Sequence, residues 1–167
     1  MPNHITNIIL MDGIAKDIVK CCKYVQGEES GFDFEKLIPM PAHIYRGNLS
    51  GADEEKYGKE NCWHWWSVKN WGTKWNAYAV NNDGQGYISF NTAWSTPEPI
   101  FKALSKKFPK IKFTIRFADE DFGSNCGEIV AERGKLSIYR PEDQSKEANA
   151  FAAEVLGYDP REEEEEE

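Results

Sequence analysis

The alternation of apolar and polar residues is most regular in residues 110–118 of this 167-residue chain. Side chains of the two kinds follow one another there in the order Ile111, Lys112, Phe113, Thr114, Ile115, Arg116 and Phe117. Because successive side chains of a strand point to opposite faces of a sheet, this pattern predicts a strand with one buried face and one exposed face.

Runs of β-branched and aromatic residues predict five more strands. They lie at residues 4–10, 74–80, 87–94, 127–131 and 135–139. The alternation in the third run places Trp94 on the same face as Ile88, Phe90 and Thr92. Turn residues at 81–86 and 133–134 predict that the strands on either side of each turn pair as hairpins.

Apolar residues at three- and four-residue spacing predict four helices. Their boundaries are set by capping residues, prolines and glycines. The predicted helices run from Asp12 to about Val25, from Asp53 to Gly72, from the hydroxyl and proline residues of Ser95–Glu98 to Pro109, and from Pro141 to Gly157.

The order of these elements predicts the fold class. Once the loop and helix of about residues 27–73 are set aside as an insertion, the first six elements read β-α-β-β-α-β, the pattern of ferredoxin-like folds. We therefore predict a two-layer α+β domain over residues 1–160, with helices on one face of an antiparallel sheet, an extra C-terminal hairpin and a terminal helix. Within the insertion, Phe32, Phe34, Leu37 and Ile38 are expected to pack against the core.

The net charge of −8 comes mainly from one arginine and six glutamates at residues 161–167. A run of like charges repels itself and stays solvated, so we expect a disordered acidic tail there. The mildly acidic remainder disfavours broad binding to nucleic-acid phosphates.

The chain lacks the common motifs of catalytic and metal sites. Its four cysteines (Cys21, Cys22, Cys62 and Cys126) include no C-x-x-C pair, and its three histidines show no H-x-x-x-H spacing. Neither a P-loop nor a G-x-S-x-G motif is present, and no apolar run is long enough to span a membrane. We therefore expect a cytoplasmic protein with free thiols, no cofactor, no metal site and no assignable catalytic residue.

Two segments are candidates for a binding site. Five of the six tryptophans lie in residues 62–76, and the end of that segment supplies Trp71, Lys74, Trp75 and Asn76. These side chains could form a stacking platform for a base, a sugar or a peptide. We expect instead that the tryptophans fill the core and that the asparagines satisfy loop backbone.

The second candidate is the acidic turn formed by Asp119, Glu120 and Asp121, together with Glu128. Carboxylates at the end of a strand could bind a divalent cation through their oxygens. The spacing does not fit an EF-hand loop. We expect a solvated acidic turn that pairs with Lys74 or Arg116.

Several segments together are similar to the YubB-type ferredoxin-like domain family of bacterial plasmids, prophages and genomic islands. The most specific are Phe-Asp-Phe-Glu-Lys-Leu-Ile-Pro-Met-Pro at 32–41 and Asn-Trp-Gly-Thr-Lys-Trp-Asn at 70–76; the others are residues 4–7, 92–97 and 118–123. The resemblance covers roughly residues 1–140. It implies a ferredoxin-like topology and a mobile-element setting, and it carries over no catalytic residue.

The leading hypothesis is a non-catalytic interaction protein that binds a host protein of defence or replication. The rival hypothesis is an enzyme or a small-ligand binder, with or without a divalent cation, that uses the 71–76 loop beside Asp119–Asp121. A weaker third hypothesis is single-stranded nucleic-acid binding on an open sheet face. The third requires exposed aromatic residues on central strands, whereas Lys112, Thr114 and Arg116 include none.

Overall fold

Six antiparallel strands form one sheet in the order β2-β3-β1-β4-β5-β6 in the computed structural model, which describes residues 1–163. The strands are β1 (His4–Asp12), β2 (Tyr78–Asn82), β3 (Tyr87–Ala93), β4 (Lys112–Asp119), β5 (Gly127–Glu132) and β6 (Lys135–Tyr139). The helices are α1 (Ala15–Tyr24), α2 (Gly51–Tyr57), α3 (Trp63–Asn70), α4 (Glu98–Lys107), α5 (Lys146–Leu156) and α6 (Pro160–Glu163). Short 3-10 helices lie at Phe34–Lys36 and Lys59–Asn61.

The first strands and helices confirm the predicted ferredoxin-like fold. Strand β1 pairs with both β3 and β4, and β2 lies outside β3, so these four strands have the order β4-β1-β3-β2. The predicted hairpin β5–β6 extends the sheet beyond β4. Strand β2 begins at Tyr78 rather than at Lys74, and its register with β3 shifts between Tyr78 and Asn81.

The main core lies on one face of the sheet. Fully buried side chains of β1, β3 and β4 pack there against α1, α4 and two phenylalanines of the insertion. Phe32 and Phe34 meet the ring of Phe90 edge-on, with centroids 4.9 and 6.0 Å away. The expectation that the insertion packs against the core is therefore confirmed.

Helix α5 lies on the opposite face of the sheet, so the expectation that all helices share one face is wrong for α5. Its Ala148 and Ala152 pack against Ala118 of β4, where small side chains let the helix approach closely. Arg116, which points to the same face as Ala118, forms ion pairs with Glu128 and Glu154. The helix thus covers part of the second face.

The insertion contains two helices rather than the single helix predicted from Asp53. Ser50 caps α2 by accepting a hydrogen bond from the Asp53 amide, and Asp53 accepts one from the Ser50 amide in return. This reciprocal pairing is a capping box. Gly58 then adopts a φ of +83° and separates α2 from the next helical segments.

Two other predicted helix starts are also displaced, and a third helix lacks its predicted cap. Asp12 is the last residue of β1, and α1 begins at Ala15. Helix α4 begins at Glu98 without a hydroxyl cap. Helix α5 is capped by Ser145, whose hydroxyl accepts a hydrogen bond from Ala148, instead of starting at Pro141. The predicted end of α5 at Gly157, which has a φ of +78°, is confirmed.

A buried polar network holds Thr96, which precedes Pro97 at the N-cap position of α4. Its hydroxyl donates a hydrogen bond of 2.6 Å to the side-chain oxygen of Asn7, a fully buried residue of β1. The Asn7 amide donates to the Thr92 hydroxyl at 3.0 Å, and Thr92 donates to the Ser95 carbonyl at 2.7 Å. Asn7 therefore ties the centre of the sheet to the corner between β3 and α4.

Beyond α5, the described residues form the short helix α6, and the predicted acidic tail begins inside this helix. Arg161 forms an ion pair with Asp159, and this pairing lowers the pKa of the Asp159 carboxyl. Residues 164–167 of the predicted tail lie outside the described residues. Within residues 1–163, no helix is long and apolar enough to cross a membrane.

All four cysteines are buried and unpaired. Burial, together with a smaller contribution from the neighbouring Cys22, raises the pKa of the Cys21 thiol from 9.0 to about 12. The folded protein therefore keeps a proton that the unfolded chain releases above pH 9. By linkage, this contribution to stability is complete below that pH and is lost as the pH rises toward 12.

We expect the free energy of unfolding to fall with rising pH above about 9, and to fall less steeply in a Cys21→Ala variant. The slope should differ by up to about 1.4 kcal/mol per pH unit, because one proton fewer is released on unfolding. Denaturant titrations across this range measure both slopes, and the interval below pH 8 is the internal control, where the two curves should run parallel. Equal slopes above pH 9 would contradict the assignment.

Candidate functional site

The two predicted candidate segments meet at one end of the sheet. Strand β1 begins there, β3 and β4 end there, and the loop after α3 folds over the same edge. We call this region, formed around His4, Tyr78, Trp94 and Asp119, the Trp94 end of the sheet. The loop is held by two hydroxyls: Thr73 donates to the Ala93 carbonyl at 2.8 Å, and Ser95 donates to the Gly72 carbonyl at 2.5 Å.

Trp71 and Asn76 are structural residues, as the core interpretation predicts. Trp71 is 4% exposed, and its indole N–H donates to the Ile38 carbonyl at 2.8 Å. The Asn76 side chain accepts a hydrogen bond from the Phe34 amide and donates one to Asp33. Both residues fix the insertion to the sheet and offer little to a ligand.

Lys74, Trp75 and Trp94 form an exposed cluster. The Lys74 ammonium lies 4.7 Å from the ring centroid of Trp75 and 5.1 Å from that of Trp94. The two indole residues are 37% and 50% exposed, respectively. The prediction that the tryptophans fill the core is thus wrong for Trp75, which is exposed, whereas Trp71 belongs to the core cluster.

The sequence prediction also misplaced Trp94, the second indole of this cluster. Strand β3 ends at Ala93, and Trp94 adopts a φ of +64°, so its side chain leaves the inward face assigned by alternation. Its amide donates to the Asn3 carbonyl, and its carbonyl accepts a hydrogen bond from the Asn125 side chain. A bulky residue rarely adopts positive φ, and such strain concentrates at functional sites.

The acidic turn at the end of β4 is engaged in internal hydrogen bonds. Asp119 is 7% exposed and accepts from Asn3 at 3.1 Å, from the Asp121 amide at 2.9 Å and from Asn125 at 3.4 Å. Glu120 accepts from the His4 amide at 2.7 Å. In residues 1–163, no group of three or more histidine, cysteine and acidic side chains is placed to hold a metal ion.

The expected pairing of this turn with a cation is wrong for Asp119, Glu120 and Asp121. None of the ion pairs formed by the described residues includes these three carboxylates. Arg116 pairs with Glu128, the fourth member of the predicted acidic set, because both residues point to the second face of the sheet. The turn therefore stabilises the sheet end mainly through neutral donors.

A histidine–tyrosine pair that the sequence did not indicate lies beside Trp75. A hydrogen bond of 2.5 Å joins His4 Nδ1 and the Tyr78 hydroxyl, and the Tyr78 ring meets Trp75 edge-on at 6.3 Å. Partial burial raises the pKa of Tyr78, and the Glu120 carboxylate raises it further. Tyr78 therefore remains a neutral phenol at neutral pH.

A comparison with protein-family models matches residues 71–167 to the ferredoxin-like domain in Api92-like protein. This chain belongs to that family. The matched residues begin at Trp71 and include Lys74, Trp75, Trp94 and the acidic turn, whereas β1, α1 and most of the insertion lie outside them. No curated protein and no solved structure matched the chain.

Membership in the Api92-like family agrees with the ferredoxin-like topology predicted from the sequence and seen in the structure. The family match covers residues 71–167, whereas the resemblance to the YubB-type family covers about residues 1–140. The two ranges overlap over about residues 71–140. The family description gives a fold and no activity, and a fold alone does not determine a function.

At position 94, we expect glycine to give a more stable protein than alanine by about 1 kcal/mol, because glycine adopts positive φ without a steric cost. Both substitutions remove the indole, so the difference isolates the backbone. Denaturant unfolding of the two variants measures it. The same pair at position 75, which is not one of the positive-φ residues of the described chain, should show the opposite order. An alanine variant as stable as the glycine variant at position 94 would contradict the strain.

Proposed function

We propose that this Api92-like protein is a non-catalytic interaction protein that binds a partner protein through Lys74, Trp75 and Trp94. The observation that supports this proposal most is the pair of exposed indoles that enclose a lysine ammonium on a strained, hydrogen-bonded corner. Tryptophan and arginine or lysine anchors of this kind combine a large apolar area with a polar group, and tryptophan is enriched at interface hot spots.

The charge of Lys74 indicates which kind of side chain the partner places against it. None of the ion pairs formed by residues 1–163 includes Lys74, and the two rings shield its ammonium from part of the solvent. A partner carboxylate that reaches the ammonium between the rings would supply the missing counter-charge in a site where screening by water is reduced. We therefore expect an acidic side chain of the partner at this point.

The resemblance to the YubB-type family suggests the setting in which this protein acts. We propose that the protein is encoded by a mobile element, acts in the cytoplasm and binds a host protein of defence or replication. The acidic charge of −8 supports a partner whose remaining contact surface is basic, as a nucleic-acid-binding protein would present.

A second candidate function is small-ligand binding, and the His4–Tyr78 pair favours it. The pair lies beside Trp75 and combines a neutral phenol with an imidazole, a combination that could hydrogen-bond a polar ligand stacked on the indole. The Asp119 carboxylate already accepts hydrogen bonds from Asn3 and from the Asp121 amide. This disfavours the form of the hypothesis in which the ligand is bound with a divalent cation. Thermal-shift measurements with nucleotides and with divalent metals test it directly.

Single-stranded nucleic acid is the ligand that the open sheet face supports least. The part of the second face that α5 leaves uncovered presents polar residues of the central strands, including Thr6, Ser89 and Asn91. The arginine of that face, Arg116, is already paired with two glutamates. Phosphate binding needs free cations as well as stacking surfaces.

We expect a stoichiometric protein to be captured from host lysate by the wild type and by Lys102→Glu, a control that reverses an exposed lysine on α4. Capture should fall about tenfold or more in the double variant Lys74→Glu/Trp75→Ser, which removes the ammonium and one ring. Melting temperatures establish that the variants are folded.

A form ending at Asp159 is tested in parallel. Capture that survives this truncation and is lost in the double variant supports the proposal. Equal capture by the double variant, or loss on truncation alone, contradicts it, and the second result would place the contact at the glutamates of the acidic tail.

A further inference from the structure

Helix α3 buries the polar residue Ser67 and exposes two of its apolar residues, Trp65 and Val68. The buried residue of the helix is Ser67, whose hydroxyl donates to the Trp63 carbonyl at 2.6 Å. Trp65 and Val68 are 41% and 44% exposed. A surface helix ordinarily places its apolar stripe against the core and its polar side outward. The inverted arrangement of α3 leaves an apolar surface without a partner in residues 1–163.

This surface is concave. A depression of about 540 Å³ lies between α3 and the 3-10 helix that precedes it, and we call it the α3 groove; its lining residues are Lys59, Glu60, Trp65, Trp66, Val68, Lys69 and Asn70. Trp66 connects the groove to the core, because its ring meets Trp71 edge-on at 5.3 Å. Trp65 is held in place by a hydrogen bond of 2.9 Å from its indole N–H to Glu54.

The rim of the α3 groove carries two lysines and one glutamate. The Lys59 ammonium lies 5.0 Å from the ring centroid of Trp65, and Lys69 is exposed near the end of the helix. Neither lysine belongs to an ion pair of the described chain. The groove thus combines an apolar lining with a rim of two lysines and one glutamate, in a protein whose net charge is −8.

We propose that the α3 groove binds a short acidic segment of a partner protein that carries an apolar anchor. The anchor side chain packs between Trp65 and Val68 over the ring of Trp66, and flanking carboxylates of the segment pair with Lys59 and Lys69. Apolar anchors in a pocket with a complementary charged rim are the usual means of peptide recognition. The groove is formed by the insertion, outside the residues matched to the family model, and the inference does not depend on the proposed function of the Trp94 end.

The α3 groove is tested by selecting random peptides displayed on phage against the full-length protein and measuring the affinity of the enriched peptides by fluorescence polarisation. We expect the enriched sequences to combine an aromatic or leucine residue with neighbouring Asp or Glu. Val68→Asp and Lys69→Glu should each weaken binding of the synthetic peptide by about tenfold or more. Both positions are exposed, so the variants are expected to fold.

Lys56→Glu is the matched control, because it reverses an exposed lysine of the same insertion that does not line the groove. Unchanged affinity in this control together with weakened binding in the two groove variants supports the proposal. Enriched peptides without acidic residues, or affinities that Val68→Asp and Lys69→Glu leave unchanged, overturn it.

Binding of a second copy of the chain or of nucleic acid in the α3 groove would also overturn the proposal. If a second copy covers the groove, sedimentation of the wild type shows a concentration-dependent dimer that Val68→Asp abolishes. If the groove binds nucleic acid, a labelled oligothymidylate binds the wild type and is lost in the same variant, because bases stack on Trp65.

Discussion

The hydrogen bonds of Asn7 determine how the Trp94 end of the sheet is built. A fully buried amide in the central strand would be costly if it were unpaired. Here it joins the hydroxyls of Thr92 and Thr96, and Thr92 continues the network to Ser95. The polar groups thus fix the corner between β3 and α4 from inside the sheet, and the same corner holds the Gly72 loop through the Ser95 hydroxyl.

This corner brings Lys74, Trp75 and Trp94 together. The positive φ of Trp94 costs free energy that its own side chain does not recover in the core, since half of the indole is exposed. The backbone hydrogen bonds of Trp94 to Asn3 and Asn125 maintain that conformation. A pre-organised aromatic and cationic surface loses little freedom on binding, and this is the property that a recognition site requires.

The sequence indicated the fold more fully than the site, for identifiable physical reasons. The alternation in β4 and the β-α-β-β-α-β order both depend on the burial of many residues. The predictions made from them were therefore correct even where single positions were misassigned. The predicted hydroxyl cap of α4 was wrong because Pro97 occupies the N-cap position, and the Thr96 hydroxyl instead donates to Asn7, a partner distant in sequence. The predicted orientation of the Trp94 side chain was wrong because alternation assumes an extended backbone, whereas Trp94 has a positive φ. The two candidate segments were found, whereas their neighbours His4 and Tyr78 became visible only once the sheet register was known.

Hydrogen exchange in an Asn7→Leu variant tests the role of this network most directly. Leucine has a similar shape and removes both the donor and the acceptor, so the account predicts that the Trp94 and Ser95 amides exchange markedly faster while the amides of the β5–β6 hairpin keep their rates. Ser105→Ala is the matched control, because it removes another buried hydroxyl, one that accepts a hydrogen bond from the Gly134 amide of that hairpin, and it should leave the corner unchanged. Unchanged exchange at Trp94 and Ser95 in the Asn7 variant, or an equal acceleration throughout the sheet, would contradict the account.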